Sequence, residues 1–241
     1  MEFALIAAPL FLAALSALVP SNRLRPWLLP VAGVAHSVMT ALLMARPEMS
    51  AGSSWLYLDP IGRVILPLVS VLFLLCSFYA VGVLHFRHNQ ANRVFCVCLT
   101  SFLGIMTLVL LSQHLGLMWV GIETMTLTTA PLIYFNRTPQ SIEATWKYLL
   151  IGSVGIALAL LGTFFLAYAS LHQGIEPTLS IEGMVRNAPM LSKSWLHAAF
   201  VLLLVGYGTK MGLAPMHTWK PDAYGEAPGV VGAIFAGGVT S

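Results

Sequence analysis

The sequence predicts an all-α integral membrane protein with about seven complete transmembrane helices and the start of an eighth. Two observations set this class. Only 9% of the 241 residues are charged and 58% are hydrophobic, whereas an ordinary soluble domain carries about 25% charged residues. A globule so poor in charge cannot cover its own surface, so lipid must be the solvent for much of it. The apolar residues also fall in continuous runs near the ~20 residues that cross the hydrocarbon as a helix. A β-barrel would alternate instead, and only these two structures satisfy the backbone in lipid.

The first run, about 3–19, follows Met1-Glu2 without a basic leader, so it reads as the first span and not as a cleaved signal. Pro20-Ser21-Asn22 closes it. The second, about 27–45, is closed by Arg46-Pro47, and a polar stretch at 48–60 leads to the third, about 61–85. A basic connection, 87–93, precedes the fourth, about 94–111. Gln113-His114 turns into the fifth, about 115–135. Ser141 with Glu143 marks the start of the sixth, about 144–171. The longest loop, 172–194, leads to the seventh, which begins near Trp195. An eighth begins after Pro228 and stops at Ser241, so the chain reads as cut short inside a helix.

Lysine and arginine in the loops set the orientation. The odd connections hold seven (Arg23, Arg25, Arg87, Arg93, Arg137, Lys147, Lys220) and the even ones four (Arg46, Arg63, Arg186, Lys193). The odd side is therefore predicted cytoplasmic, with the N-terminus outside. A net charge of +3 carries no nucleic-acid message. Cys76, Cys96 and Cys98 lie inside apolar runs and read as small buried residues. No nucleotide loop, iron–sulfur spacing, hydrolytic triad or separate soluble domain is present in the sequence.

The residues that cost energy in lipid point to function. Glu123 stands midway along the fifth run, too short to reach the interface, so it must be protonated, paired or beside water. Intramembrane carboxylates mark ion or proton paths; the plainer reading is a protonated structural staple. Lys210 follows an apolar run with no polar break, in TKMGLAPMHTWKPDAYGEAP at 209–228. Two geometries are open for it. If the helix stops at Ala214, Lys210 snorkels to the headgroups; if it continues to Trp219 with a break at Pro215, the lysine lies deeper. Proline in a helix frees backbone groups that need protein or water, and Gly206, Gly208 and Gly212 leave room for close packing. The helix-break residues are thus Pro215 and Gly212. His217 follows the break, and histidine can pass protons near neutral pH. Lys147 opens the sixth run, where snorkelling and an interior role are evenly balanced. His36 alone reads as a satisfied interior histidine, Asp59 and His114 as capping residues, and Thr124, Thr126, Thr128 and Thr129 as partners for other helices or water. A glutamate and two or three lysines in one bundle titrate as a coupled set, a lysine being loaded and emptied as a carboxylate approaches or recedes.

These residues resemble the antiporter-like, proton-translocating membrane subunits shared by respiratory complex I, Mrp-type multisubunit cation/proton antiporters and membrane-bound hydrogenases. The resemblance covers most of the chain and is strongest over 115–228. Glu123 followed by Pro131 matches the fifth-helix pattern, and Lys210 with Pro215, His217, Trp219, Pro221, Asp222, Ala223, Glu226, Ala227 and Pro228 matches a long, specific signature. LDPIGR at 58–63 is similar to the start of the family's third helix. SIEATWKYLLIGSVGIALALLGTFFLA (141–167) and HTWKPDAYGEAPG (217–229) resemble the hydrogenase-4 component F branch, and Lys220 stands where complex I relatives carry leucine.

The resemblance implies the N-terminal part of a fourteen-helix, inverted-repeat fold. It implies a single transmembrane domain over 1–241, with helices one to three at about 1–90 and an incomplete first repeat at about 93–241. It makes Glu123 and Lys210 the coupled pair of a half-channel, with Lys147 and His217 on the proton pathway. It implies no cofactor or metal in this chain. The partners implied are other membrane subunits of a hydrogenase or complex I-like assembly, a peripheral nickel–iron and iron–sulfur arm and the lipid bilayer, in a bacterial or archaeal cytoplasmic (inner) membrane. Ala236 replaces a histidine common in complex I relatives, and the next family lysine would fall just past Ser241, so this stretch alone is not expected to complete a path. Three readings follow: a redox-driven proton-translocating subunit, a subunit of a cation/proton antiporter or of complex I, and a scaffold with an inactive channel.

Overall fold

The computed structural model describes residues 1–46, 53–87 and 90–239, and among these every regular element is a helix. The polar stretch at 48–60, the basic connection at 87–93 and the end of the eighth run lie partly outside the described residues. The long helices are α1 (Glu2–Leu18), α2 (Leu28–Ala45), α3 (Gly62–Phe86), α4 (Arg93–Leu111), α5 (Leu115–Ile133), α6 (Pro139–Leu171) and α8 (Lys193–Met211). Three short ones join them: α7 (Ile181–Asn187), α9 (Trp219–Glu226) and α10 (Gly229–Ile234), the last passing into a π-helical turn at Phe235–Val239.

Among the described residues, four segments are long and apolar enough to cross a membrane by length and composition: Arg25–Ala45, Gly62–Phe86, Arg93–Leu111 and Pro139–Leu171. The expected seven are not all reached by that measure, for two physical reasons. α1, at 17 residues, is about 26 Å long, short of the ~30 Å hydrocarbon core. α5 and α8, each 19 residues and so about 28 Å long, are diluted by polar side chains: Glu123 and four threonines in one, Lys193, His197, Thr209 and Lys210 in the other. Two of the three helices that fall short, α5 and α8, carry Glu123 and Lys210 of the candidate site.

Elsewhere the boundaries follow local chemistry. α6 starts earlier than expected because Pro139 occupies its first turn and the Thr138 hydroxyl accepts from the Ser141 N–H at 3.0 Å. The long loop folds locally into α7, capped by Ser180 and carrying a Glu182–Arg186 pair one turn apart. On one face of the bundle the loops are knitted by backbone bonds: Tyr57 N–H to Leu111 O (2.8 Å), Gln113 N–H to Trp55 O (2.9 Å) and Ile181 N–H to Gln113 O (3.0 Å). His114 stacks on Trp55 there, with ring centroids 4.5 Å apart. Near the other end of α1, Arg25 is buried, its guanidinium donating to Asn22, to Asn92 (2.6 Å) and to the Ser16 and Val19 carbonyls. It ties the end of α1, the approach to α2 and the start of α4 together. The main apolar core runs through α2, α3, α4 and α5 to α6, α9 and α10, around Phe73, Phe102, Tyr148, Trp219 and Phe235.

Candidate functional site

The site is set by a helix that ends early. α8 stops at Met211, and Gly212 takes φ +78°, a left-handed conformation that glycine adopts without strain. Leu213 N–H then bonds back to Gly208 O (2.8 Å) and Gly212 N–H to Thr209 O (3.2 Å), closing the helix in a Schellman motif. The interruption runs over 212–218, with Pro215 in its middle, and a new helix begins at Trp219. Trp219 is buried and its indole N–H donates to Thr209 O at 2.9 Å. Lys220 Nζ donates to Met211 O at 3.3 Å. The carbonyls at the end of α8 are thus met by its own turn and by α9.

A seam of small residues brings α8 against α6. A Cβ on Gly206 would lie 2.5 Å from the Ala159 nitrogen and 2.7 Å from Gly155 O; one on Gly155 would lie 2.6 Å from Thr209 Cβ. Gly155, Ala159 and Gly162 repeat at helical spacing on the facing side of α6, the small-residue pattern that lets helix backbones meet in lipid. Tyr148 continues that face of α6 one turn before Gly152 and is fully buried.

This packing places Lys210, 5% exposed, inside a cage of hydroxyls. Its Nζ donates to Tyr148 OH at 2.7 Å and to Thr126 Oγ1 at 2.8 Å, and lies 4.5 Å from the Tyr148 ring centroid. Tyr148 OH and Thr129 Oγ1 are 2.7 Å apart. Trp219 and Phe235 flank the tyrosine at 5.2 and 6.0 Å between centroids. Although Lys210 is the penultimate residue of its helix, it turns inward and does not snorkel, because neutral oxygen acceptors await it there.

Glu123 sits one helical turn before Thr126 on α5. Its Oε1 accepts from Ser153 Oγ of α6 at 3.0 Å, and its Oε2 is buried without a protein hydrogen-bond partner. Among the described residues Glu123 and Lys210 form no ion pair with each other. Thr126, one turn after Glu123 on α5, accepts from the lysine. A lysine held by neutral hydroxyls and not by a carboxylate can both hold a proton and give it up.

Lys147 is not in this cage. It is half-exposed and donates to Asp222 (2.7 Å) and Glu143 (2.7 Å), pinning α9 to the start of α6. His217 is exposed in the interruption, its carbonyl accepting from Lys220 N–H at 2.9 Å. Glu226 accepts from Thr138 at 3.3 Å. Sequence reasoning did not single out Tyr148 or Ser153. The stripe of small residues on α6 was the available signal, since Tyr148 is the one large polar residue on it.

The bundle thus carries a caged lysine at a helix break and a carboxylate on α5, bonded to α6. The family described as "NADH:quinone oxidoreductase/Mrp antiporter, TM" matches residues 112–241, and the chain belongs to it. The chain is 44% identical over 135 residues to the "Hydrogenase-4 component F homolog" of Methylacidiphilum infernorum, a match covering 55% of this chain and 28% of that protein. It is 27% identical over 210 residues to "NADH-quinone oxidoreductase subunit N" of Myxococcus xanthus, covering 87% of this chain and 40% of that one.

Among solved structures, a chain of the membrane-bound sulfane sulfur reductase, an archaeal respiratory membrane complex, superposes with a TM-score of 0.82 at 18% identity, covering 100% of this chain and 50% of its own. Respiratory complex I from Thermus thermophilus gives 0.77 at 25% identity, over 98% and 52%. The Mrp complex from Dietzia sp. gives 0.77 at 21%, over 99% and 46%. The chain therefore spans about half of these structures' chains and less than half of the curated relatives. It is a multi-pass membrane protein of the antiporter-like kind.

Proposed function

We propose that this chain is the proton-translocating membrane subunit of a redox-driven complex of the membrane-bound hydrogenase or formate-hydrogenlyase-like type. The observation that carries the reading is the state of Lys210: buried, held by Tyr148 and Thr126, and near Glu123 without being locked to it. The lysine holds the proton, and the Glu123 carboxylate sets how tightly. The 44% likeness to a hydrogenase-4 component F homolog favours the hydrogenase branch. In this reading all seven apolar runs and α10 lie in a bacterial or archaeal inner membrane with the N-terminus outside. Residues of about 1–90 form a three-helix unit and about 93–241 belong to a repeat. Other membrane subunits adjoin the chain, and a peripheral nickel–iron and iron–sulfur arm supplies the driving electron transfer. His217 and Lys147 serve as outer steps of the path, Lys147 after release from Asp222.

A second reading, a subunit of a multisubunit cation/proton antiporter or of complex I, is favoured by the likeness to the Mrp complex and to subunit N. Proton movement in vesicles holding the assembled complex tests the site. Lys210→Ala and Glu123→Gln are each expected to abolish electron-donor-driven acidification while the complex still assembles. Wild-type acidification in both would remove these residues from the path. Sodium- or potassium-driven pH change with no electron donor present would transfer the assignment to the antiporter.

A further inference from the structure

We propose that His36 is a second proton-exchanging site of this chain, built between α2, α3 and α4 and separate from the Lys210 cage. The imidazole is fully buried, and both ring nitrogens are engaged: Nδ1 lies 2.9 Å from Ser70 Oγ and Nε2 lies 2.9 Å from Thr107 Oγ1. Ser70 Oγ also donates to Leu66 O at 2.7 Å, and Thr107 Oγ1 to Leu103 O at 2.7 Å. Thr40 Oγ1 stands 3.1 Å from Ser70 Oγ, which makes a four-member chain of Thr40, Ser70, His36 and Thr107.

Counting hydrogens gives the site its character. Each hydroxyl has one proton to donate. When both hydroxyls give theirs to the carbonyls one turn back, both ring nitrogens must donate, and the ring is a cation with both hydrogen bonds satisfied. When the ring is neutral, one nitrogen is an acceptor, and one hydroxyl must turn from its carbonyl to the ring. Two satisfied arrangements therefore exist. They differ by one proton and one hydroxyl rotation, and no helix has to move. An apolar neighbour in place of either hydroxyl would leave one ring nitrogen without a partner, at greater cost to the cation, whose unmet group is a charged N–H.

The surroundings add no fixed charge to the ring. On the elements packed around α2, the inward-facing titratable groups are Glu2, Arg25, Cys76 and Cys96, with Cys98 half-buried; Arg63, Tyr79, His85 and Arg93 face outward. None of these bonds to the ring, because the hydroxyls occupy both nitrogens. Arg25 is committed to Asn22, Asn92 and two carbonyls.

The test is nitrogen NMR of the histidine-labelled full chain in lipid nanodiscs from pH 5 to 8, with the signal among the seven histidines assigned by its loss in His36→Asn. The expected result is conversion of His36 between a singly and a doubly protonated ring within that range. In Thr107→Val and Ser70→Ala, close in shape to the native residues, the doubly protonated fraction at a fixed pH within the transition is expected to fall about tenfold, the effect of one lost hydrogen bond to a charged group. A ring that stays in one protonation state from pH 5 to 8 overturns the proposal, as does a titration unmoved by both hydroxyl substitutions. The readout does not depend on whether Lys210 moves protons.

Discussion

At the scale of single residues, the site turns on how a lysine is kept inside. An ammonium ion away from water needs acceptors for its protons, and Lys210 finds them in Tyr148 and Thr126, which carry no charge of their own. Tyr148→Phe keeps the ring and removes the closer acceptor. A hydrogen bond to a charged group is worth ~1.5–3 kcal/mol, so the variant is expected to assemble but to move protons at least tenfold more slowly in vesicles. A wild-type rate in Tyr148→Phe would mean that the hydroxyl only fills space. The sequence made Lys210 and Glu123 conspicuous, because a charge in an apolar run stands out by itself. It left Tyr148 inconspicuous, since a tyrosine in such a run is ordinary until its partners, 19 and 62 residues away, are known.

At the scale of elements, the glycines of α6 and α8 and the signature after the break form one device. Gly206→Val would put a methyl-bearing carbon against the α6 backbone, which cannot turn aside as a side chain would. Overpacking costs ~1–3 kcal/mol, so the variant is expected to unfold at lower denaturant in detergent. Gly225→Ala on α9, whose Cβ meets nothing within 4 Å, should leave stability unchanged or slightly raised. Equal stability of the two variants would refute the seam. Trp219→Phe removes the indole N–H that meets Thr209 O and is expected to cost ~1 kcal/mol, read from the same unfolding curves. The long helices were readable from the apolar runs, to within a residue or two for the first four. α7 and α9 were not, because each is under three turns and neither is apolar. The signature residues around α9 were recognised as a string, but what they do is tertiary: Trp219 closes α8, Asp222 holds Lys147 and Glu226 meets Thr138.

At the scale of the whole molecule, the loops define two faces. One carries the knitted segments 53–60, 112–115 and 178–181; the other carries Arg25, Arg87, Arg93 and Arg137. In the proposed orientation, the excess of basic residues makes the second face the cytoplasmic one. Single cysteines introduced at Gln90 and at Gln173, in a variant lacking the three native ones, are expected to react with a membrane-impermeant thiol reagent from opposite sides of sealed cells. Gln173→Cys should react from outside and Gln90→Cys only after the cells are opened. The reverse pattern would invert the orientation, and labelling of both from one side would overturn the count of spans between them. That count could not be fixed by hydropathy alone, since α5 gives up apolar length to Glu123 and four threonines.

The seam between α6 and α8 also bears on time. At Gly206 the α8 backbone meets the α6 backbone directly, so α8 cannot be displaced along α6 without breaking that contact. Collective helix shifts take microseconds to milliseconds, whereas rotation of side chains is far faster. The parts of this site that can turn without disturbing that contact are the lysine stem and three hydroxyls. A proton released from Lys210 would wait on the local rearrangement of a few atoms and not on the rocking of a bundle.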